Sequence, residues 1–466
     1  MKLSHALFAA TLAAGPPLSG QIVLEESVVS LEGGVRDATL CDLDGDGISD
    51  LVGRGPEGVA VLLGDGRGGF NLQATEEFES GGAFAVADFD GDGTADVAAA
   101  DVDNNELVLL WSDGTGSFTD RTTLTFLEPP TSIAAGDVDG DGAIDLAVST
   151  YDYFVFAEDA TPGTTALFLN TGDGSFTEEW SIEAGFRPTV QLLDFDGDGH
   201  LDLVNRDGIY ALAYVIESKI DVFLGAGDGS LAHDSTFSYW GGSPRFADFD
   251  EDGLLDFVAN YFTDTVPGSA TFLYLNDGRG EYEVAEAWNA GSHGFTLGDV
   301  NDDDHVDLVL ARGSQVTVLV GDGTGSLIAH EYAAEGSPRE SALGDIDGDN
   351  RTDVAVFDRQ GLELNLYLNA TPYFIRGDVN GDATVQLGDV AFFIAGITDN
   401  TIASIPCPDA ADVNDDGVIS IPDVLDLISA LFLNRDFPAT PYRRCGGDAT
   451  EDTLTCESGV GCLYFG

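Results

Sequence analysis

Positive charge is the scarcest thing in this sequence. Its 466 residues hold 18 Lys and Arg against 83 Asp and Glu, a formal net charge of -65. A surface this acidic repels phosphate backbones and anionic headgroups, which argues against nucleic acid and anionic membrane as partners. Histidine is rare, with 6 copies, and neither H-E-x-x-H nor G-x-S-x-G occurs. No Ser/His/Asp set stands out, because acids are too abundant to single out a catalytic pair. Beyond the N-terminus no apolar run reaches the roughly 20 residues of a membrane-spanning helix. Disorder is excluded as well, because 43% of the residues are hydrophobic.

Cysteine is limited to 5 residues, unevenly placed. Cys41 stands alone, whereas Cys407, Cys445, Cys456 and Cys462 crowd the C-terminus. Residues 1–20 read as a signal peptide: Lys2, an apolar run from Leu3 to Ala14, then small residues ending at Gly20. Export permits disulfides, so the four C-terminal cysteines are disulfide candidates, with three pairings open. Irregular spacing and the lack of nearby His argue against zinc. The expected location is secreted, extracellular or cell-surface-associated.

Aspartate and glycine are abundant, and they come together. Asp42-Leu43-Asp44-Gly45-Asp46-Gly47-Ile48-Ser49-Asp50 puts carboxylates at turn positions 1, 3, 5 and 9, with Gly at 4 and 6. Ca²⁺ takes six to eight oxygens, and alternate Asp side chains on a tight turn supply them; a position-7 carbonyl, here Ile48, adds another. Gly permits the positive-φ kinks that wrap the backbone round an ion.

The turn recurs six times. The second, third and fourth copies offer Asp88, Asp90, Asp92 and Asp96; Asp137, Asp139, Asp141 and Asp145; and Asp194, Asp196, Asp198 and Asp202. The fifth offers Asp248, Asp250, Asp252 and Asp256, with Glu251 at a Gly position. In the sixth, Asp299, Asn301, Asp303 and Asp307, both glycines are replaced by Asp302 and Asp304. The seventh offers Asp345, Asp347, Asp349 and Asp353, with Asn350 for the second Gly. Asn and Asp tolerate the left-handed region, so all seven turns are expected to fold alike.

The period is about 50 residues, filled with short apolar segments, which indicates propeller blades. Each repeat has a strand into the acidic turn, a strand out of it, a third ending in a Gly-rich turn, and a more polar fourth. That is one four-stranded antiparallel blade, and the expected class is an all-β, seven-bladed β-propeller, monomeric. Phe70, Phe118, Phe176 and Tyr282 recur after the Gly-rich turn as blade-packing residues. The seventh repeat stops after its third strand, so the N-terminal segment is expected to complete that blade and cover its edge.

These turns resemble the integrin-type FG-GAP and VCBS repeats, over residues 21–371. The resemblance implies Ca²⁺ bound on one face of the propeller and ligands on the opposite face. Three long connections are expected on that opposite face, Ser149–Thr165, Asn205–Lys219 and Asn260–Ala270. Their Tyr151, Tyr153, Phe154, Tyr210, Tyr214, Tyr261 and Phe262, with Trp240 from a blade connection, form a candidate contact surface for a glycan or protein.

After Pro372 the pattern changes. Asp378, Asn380, Asp382, Thr384 and Asp389 occupy positions 1, 3, 5, 7 and 12 of a Ca²⁺ loop, followed by an apolar run at helical spacing. Asp412, Asn414, Asp416, Val418 and Asp423 repeat the arrangement. The pair resembles a type I dockerin, a small helical module with two EF-hand-like loops, over residues 372–436, with a Cys-rich tail at 437–466. It implies Ca²⁺ and a cohesin-like receptor, for up to about nine Ca²⁺ sites in all. The residues before position 12 are Leu387-Gly388 and Ile421-Pro422, rather than the polar pairs of familiar dockerins.

The leading expectation is a secreted Ca²⁺-binding propeller acting as a non-catalytic binding or adhesion protein and attached through its tail. One alternative is an extracellular polysaccharide lyase or hydrolase on a propeller scaffold. Another is a purely structural surface or matrix component.

Overall fold

The computed structural model describes residues 24–369, apart from 31–34, 56–57, 78–79, 152–161, 212–213, 240, 262–269, 279–281, 289–293, 302, 350 and 359–362. It also describes 379, 387–398, 411–413 and 418–432. The signal-peptide reading and the four C-terminal cysteines fall outside the described residues.

Seven four-stranded antiparallel sheets form seven blades. Strand β1 (Leu24–Ser30) precedes them. Blade one is β2 (Arg36–Cys41), β3 (Asp50–Gly55), β4 (Gly58–Gly64) and β5 (Phe70–Glu77). Blade two is β6 (Ser80–Ala87), β7 (Asp96–Asp101), β8 (Glu106–Ser112) and β9 (Phe118–Thr125). Blade three is β10 (Pro130–Gly136), β11 (Asp145–Thr150), β12 (Thr164–Asn170) and β13 (Phe176–Glu183). Blade four is β14 (Phe186–Leu193), β15 (Asp202–Ala211), β16 (Tyr214–Gly225) and β17 (Leu231–Tyr239). Blade five is β18 (Arg245–Ala247), β19 (Asp256–Tyr261), β20 (Ala270–Asn276) and β21 (Tyr282–Trp288). Blade six is β22 (Phe295–Gly298), β23 (Asp307–Arg312), β24 (Gln315–Gly321) and β25 (Leu327–Ala333). Blade seven takes β26 (Pro338–Gly344), β27 (Asp353–Asp358) and β28 (Glu363–Asn369).

The strand patterns follow from position. Second strands are apolar without alternation, as in Val97-Ala98-Ala99-Ala100, because both faces are buried between neighbouring blades. Outer strands alternate: in β13 Phe176, Trp180 and Ile182 are half-buried while the residues between them are exposed. The core is divided into blade-to-blade interfaces. Val52, Val61, Val97 and Leu110 join blades one and two. Tyr239, Phe257 and Tyr274 join four and five, with Phe257 stacked on Tyr274 at 4.5 Å between ring centroids. Phe70, Phe118, Phe176 and Tyr282 each pack against such an interface, as their repeated position predicts.

The ring closes as the truncated seventh repeat predicts. Strand β1 pairs antiparallel with β28 from Leu24↔Asn369 to Ser30↔Glu363, so blade seven is built from both ends of the propeller. Phe357, Leu364 and Leu366 of that blade then pack on Leu51 and Leu62 of blade one.

One expected connection is corrected. Asn205–Lys219 is not a loop: β15 runs to Ala211 and β16 starts at Tyr214, with Tyr210↔Val215 and Ala211↔Tyr214 in register. The segment is rich in β-branched and aromatic residues, which favour extended pairing over a coil.

After the propeller in the chain come helices α1 (Leu387–Thr398) and α2 (Ile421–Phe432). Val390 and Phe393 of α1 meet Val424 and Leu427 of α2 around Val379, Ala411 and Val413. At the start of α2 the Asp423 carboxylate reaches back to Ser420, Oδ2 accepting its N–H and its Oγ–H at 2.7 and 3.0 Å.

Deleting residues 21–30 leaves the hydrogen-bonding edge of β28 bare. We expect a lower melting temperature and concentration-dependent oligomers by sedimentation. A monomer of unchanged melting temperature contradicts this closure.

Candidate metal-binding loops and the opposite face

The acidic turns all lie between the first and second strands of their blades, on one face. Their chain path is set by carboxylates gripping backbone. In the first turn Asp42 Oδ1 accepts the N–H groups of Gly45 and Asp46 at 2.8 and 3.1 Å, and Oδ2 that of Gly47 at 3.0 Å. Gly45 and Gly47 have φ of 76° and 85°, where a side chain is strained. Asp46 Oδ1 accepts the Ile48 N–H at 2.8 Å. The same bond, from position 7 to position 5, recurs at Asp92, Asp141, Asp198, Asp252, Asp303 and Asp349.

The position-9 carboxylate does something the sequence reading did not assign. Asp145 is fully buried; Oδ2 accepts the Val138 N–H and Oδ1 the Asn170 N–H, both at 2.8 Å. It ties the turn to the end of the blade's third strand. Asp50 holds Leu43 and Gly64 in the same way, Asp96 holds Phe89 and Ser112, and Asp202 holds Phe195 and Gly225. Asp256 holds Phe249 and Asn276, Asp307 holds Val300 and Gly321, and Asp353 holds Ile346 and Asn369. Burial pushes these carboxyls upward against the pull of the two N–H groups, to about 6 at Asp96 and Asp256, about 7 at Asp353 and about 8 at Asp307.

Positions 1, 3 and 9 also converge. Asp42, Asp44 and Asp50 offer oxygens within 4.8 Å of one another, and so do the corresponding triples at Asp88, Asp137, Asp194 and Asp248. Those groups do not include the position-5 carboxylates. A cation fits this donor set. Asp248 Oδ1 and Asp347 Oδ1 are buried acceptors with no hydrogen-bond partner, which a positive charge would satisfy.

The described residues at substituted Gly positions keep the left-handed backbone. Glu251 and Asp304 stand at Gly positions with φ of 56° and 71°. Glu251 Oε1 bonds His305 Nδ1 at 2.5 Å, linking turn five to turn six. In turn seven Asp349 pairs with Arg351 Nε at 2.5 Å, so position 5 there already has a cationic partner. Asn301 Nδ2 donates to Asp303 Oδ2 at 2.9 Å in turn six.

In the helical module Asp389, Asp412 and Asp423 are buried near the start of α1, at the first position of the second loop and near the start of α2. Val418 is 60% exposed. Asp378, Asn380, Asp382, Thr384, Asn414 and Asp416 lie outside the described residues.

On the opposite face Tyr151 is buried, edge-on to Phe186 at 6.0 Å, so it serves packing. Tyr210 and Tyr214 sit on β15 and β16, and Tyr261 ends β19. Tyr153, Phe154, Trp240 and Phe262 lie outside the described residues. What the sequence reading missed is a buried polar seam beneath this region. Ser149 Oγ meets Thr165 Oγ1 at 2.8 Å, and Thr165 Oγ1 donates to Asn205 Oδ1 at 2.7 Å. Thr271 Oγ1 donates to Asn260 Oδ1 at 2.7 Å. Aligning repeats on the position-9 Asp would have found it. Four residues on, blades two, six and seven carry Ala100, Ala311 and Phe357, whereas blades one, three, four and five carry Arg54, Ser149, Arg206 and Asn260.

Fold and turns together define a seven-bladed β-propeller with one acidic turn per blade, followed by a helical module. The chain carries FG-GAP-like repeats, matched at 42–99, 88–148, 151–204 and 299–356, and a dockerin type I domain, matched at 376–432. Type I dockerins bind Ca²⁺ and cohesin partners, and proteins that bear them are typically extracellular or attached to a cell surface. No curated protein matches the chain. Among solved structures it is similar to an Agrocybe aegerita lectin described by its recognition of non-reducing terminal N-acetylglucosamine, at 16% identity and a TM-score of 0.45. That match covers 69% of this chain and 92% of the lectin. It is also similar to the Dos1 propeller, at 14% identity and a TM-score of 0.47, over 72% of this chain and 81% of the other. Among the described residues no helix is long and apolar enough to cross a membrane.

Two outcomes follow from the turn geometry. Asp145→Asn presents an N–H₂ to one of two buried N–H groups, so we expect a loss of about 1–3 kcal/mol even in EDTA. Asp139→Asn keeps its acceptor and should lower the melting temperature only when Ca²⁺ is present. Equal losses in both variants in EDTA would refute the separation. The second outcome concerns pH. Position-9 carboxyls with folded values raised above 3.8 favour the folded state when protonated, and that stability is lost as pH rises through the folded values. In EDTA the melting temperature should therefore fall between pH 5 and pH 8; a flat or rising profile contradicts the burial.

Proposed function

We propose that this chain is a secreted, non-catalytic binding protein: a Ca²⁺-stabilised propeller that holds a glycan or protein ligand on the face opposite its acidic turns. Its dockerin domain attaches it to a cohesin-like receptor. The observation that carries this reading is the contrast between the two faces. The acidic turns repeat one bonding scheme in all seven blades, as a scaffold element does. The opposite ends of the blades differ: blades two, six and seven pack Ala100, Ala311 and Phe357 there, whereas blades three to five carry the hydrogen-bonded sets Ser149, Thr165 and Asn205, and Asn260 and Thr271. Binding residues concentrate where a rigid scaffold carries variable ends.

In this reading Ca²⁺ is structural. Its role is to relieve the mutual repulsion of the carboxylates at positions 1, 3 and 9 of the propeller turns and at positions 1, 5 and 12 of the dockerin loops. The exposed Val418, Ile421 and Leu425 would supply an apolar patch for the receptor where other dockerins use polar pairs.

A glycan array probed with the Ca²⁺-loaded chain, followed by product analysis on every binding glycan, tests the reading. Binding without turnover is the expected result. Release of shortened or unsaturated products makes the protein an enzyme, and the absence of any glycan or protein ligand leaves only the architectural alternative.

A further inference from the structure

We infer that the mouth of the propeller opposite the acidic turns carries an oxyanion site at Arg187, Arg206 and Arg245, suited to the carboxylate or sulfate of an acidic saccharide. The inference rests on the glycan-binding reading above and narrows it to a chemical class.

Among the described residues, five buried polar atoms without hydrogen-bond partners fall at the two ends of the propeller. At the acidic turns they are acceptors, Asp248 Oδ1 and Asp347 Oδ1, which call for a cation. At the other mouth they include the donors Arg206 Nε and Arg339 Nε, with Thr189 Oγ1 beside the first. Unmet N–H donors on a guanidinium call for an anion.

Arg206 is the centre of this arrangement. It is 6% exposed, on β15, directly opposite Thr189 of β14. Its Nη1 donates to the Arg187 carbonyl at 3.3 Å, and its Nη2 to Ser218 Oγ at 2.8 Å and the Gly241 carbonyl at 3.4 Å. All three partners are neutral, and no carboxylate pairs with it among the described residues. Asp207 is next in sequence but projects from the other side of the strand. There it packs against Gly185 and accepts from Asn205 Nδ2 at 3.1 Å. A buried guanidinium without a counter-ion is costly unless a ligand supplies one.

Two further arginines stand at the entrance. Arg187 is exposed near the start of β14 and holds a strained φ of 49°. Arg245, at the start of β18, reaches solvent although protein surrounds most of its guanidinium and burial pulls its pKa down, and its own bond is to the Pro244 carbonyl, at 3.4 Å. Gln191 Nε2 donates to that same carbonyl at 3.0 Å, which holds the start of β18 against β14. Three guanidinium groups thus lie at one end of blades four and five, in a chain with 18 basic residues in all. Planar guanidinium forks match carboxylate and sulfate oxygens. The net charge of -65 repels a densely charged polymer, so the site suits an isolated acidic group on an otherwise neutral sugar.

Calorimetric titration of the full Ca²⁺-loaded chain tests this with methyl glucuronide, glucose 6-sulfate, methyl glucoside and a short aspartate peptide. The acidic sugars should bind at least about tenfold more tightly than the glucoside, the size of one charge-assisted hydrogen bond, and their relative affinities separate carboxylate from sulfate. Arg187→Gln and Arg245→Gln are exposed changes expected to leave the fold intact. Each should weaken acidic-sugar binding by about tenfold and flatten its salt dependence. Arg206→Gln should abolish it, with circular dichroism as the check on folding. Equal affinity for acidic and neutral sugars, indifference to the exposed variants, or binding of the peptide alone overturns the inference. Neutral-sugar binding untouched by the variants overturns it while leaving the glycan reading intact; failure of every saccharide here and on the array overturns both.

Discussion

A buried carboxylate that accepts two backbone N–H groups is the constraint on which each blade depends. The position-9 Asp opens the second strand, reaches back to the second residue of its own turn, and reaches sideways to the last residue of the third strand. One side chain therefore fixes the turn, the strand it begins and the strand beside it. Neutral groups could not replace it readily, because both donors are buried and an acceptor-only side chain satisfies the pair. The neighbouring blade attaches to the same place. Asn170 Nδ2 of blade three donates to the Phe89 carbonyl in the turn of blade two at 2.7 Å, and Asn369 Nδ2 of blade seven to Val300 in that of blade six. Gly325 of blade six donates its N–H to the Phe249 carbonyl of blade five at 2.9 Å. The turns are wired around the ring as well as within blades.

The same arrangement explains why so acidic a chain folds into a closed ring. Three carboxylates converge at one end of each of the first five blades, and their repulsion opposes the backbone bonds that gather them. A cation at that point reinforces the bonds instead of competing with them. The position-5 carboxylate remains committed to the position-7 N–H throughout. Scaffold chemistry thus occupies one face, and the opposite ends of the blades are free to differ.

Much of this was legible in the sequence. The Asp-x-Asp-Gly-Asp-Gly pattern, its period and the missing final strand led to seven blades and to closure by β1, because these depend on local turn chemistry and counting. The double role of position 9 was not legible, since ligand and latch both require Asp. Nor was the hairpin at Tyr210 and Tyr214, where β-branched and aromatic residues pair across a segment that spacing alone assigns to a loop. The polar residues at the position of Ser149, Arg206 and Asn260 were hidden for another reason. Each residue looks ordinary alone, and only superposing the blades shows three adjacent ones, with Arg54 of blade one, polar where blades two, six and seven are apolar.

The irregular turns show which of these constraints is stronger. Glycine at positions 4 and 6 relieves strain, yet Glu251 and Asp304 adopt φ of 56° and 71° in its place. Left-handed backbone at a non-glycine residue persists only where its surroundings over-determine it. Here the surroundings are the Asp256 and Asp307 latches, which hold Phe249, Asn276, Val300 and Gly321 in the positions their counterparts occupy in the other blades. Glu251 then gains a partner that glycine could not offer, His305 of the next turn. The substitution exchanges backbone ease for a link between blades five and six, and the turn keeps its shape because the latch, more than the glycine, defines it.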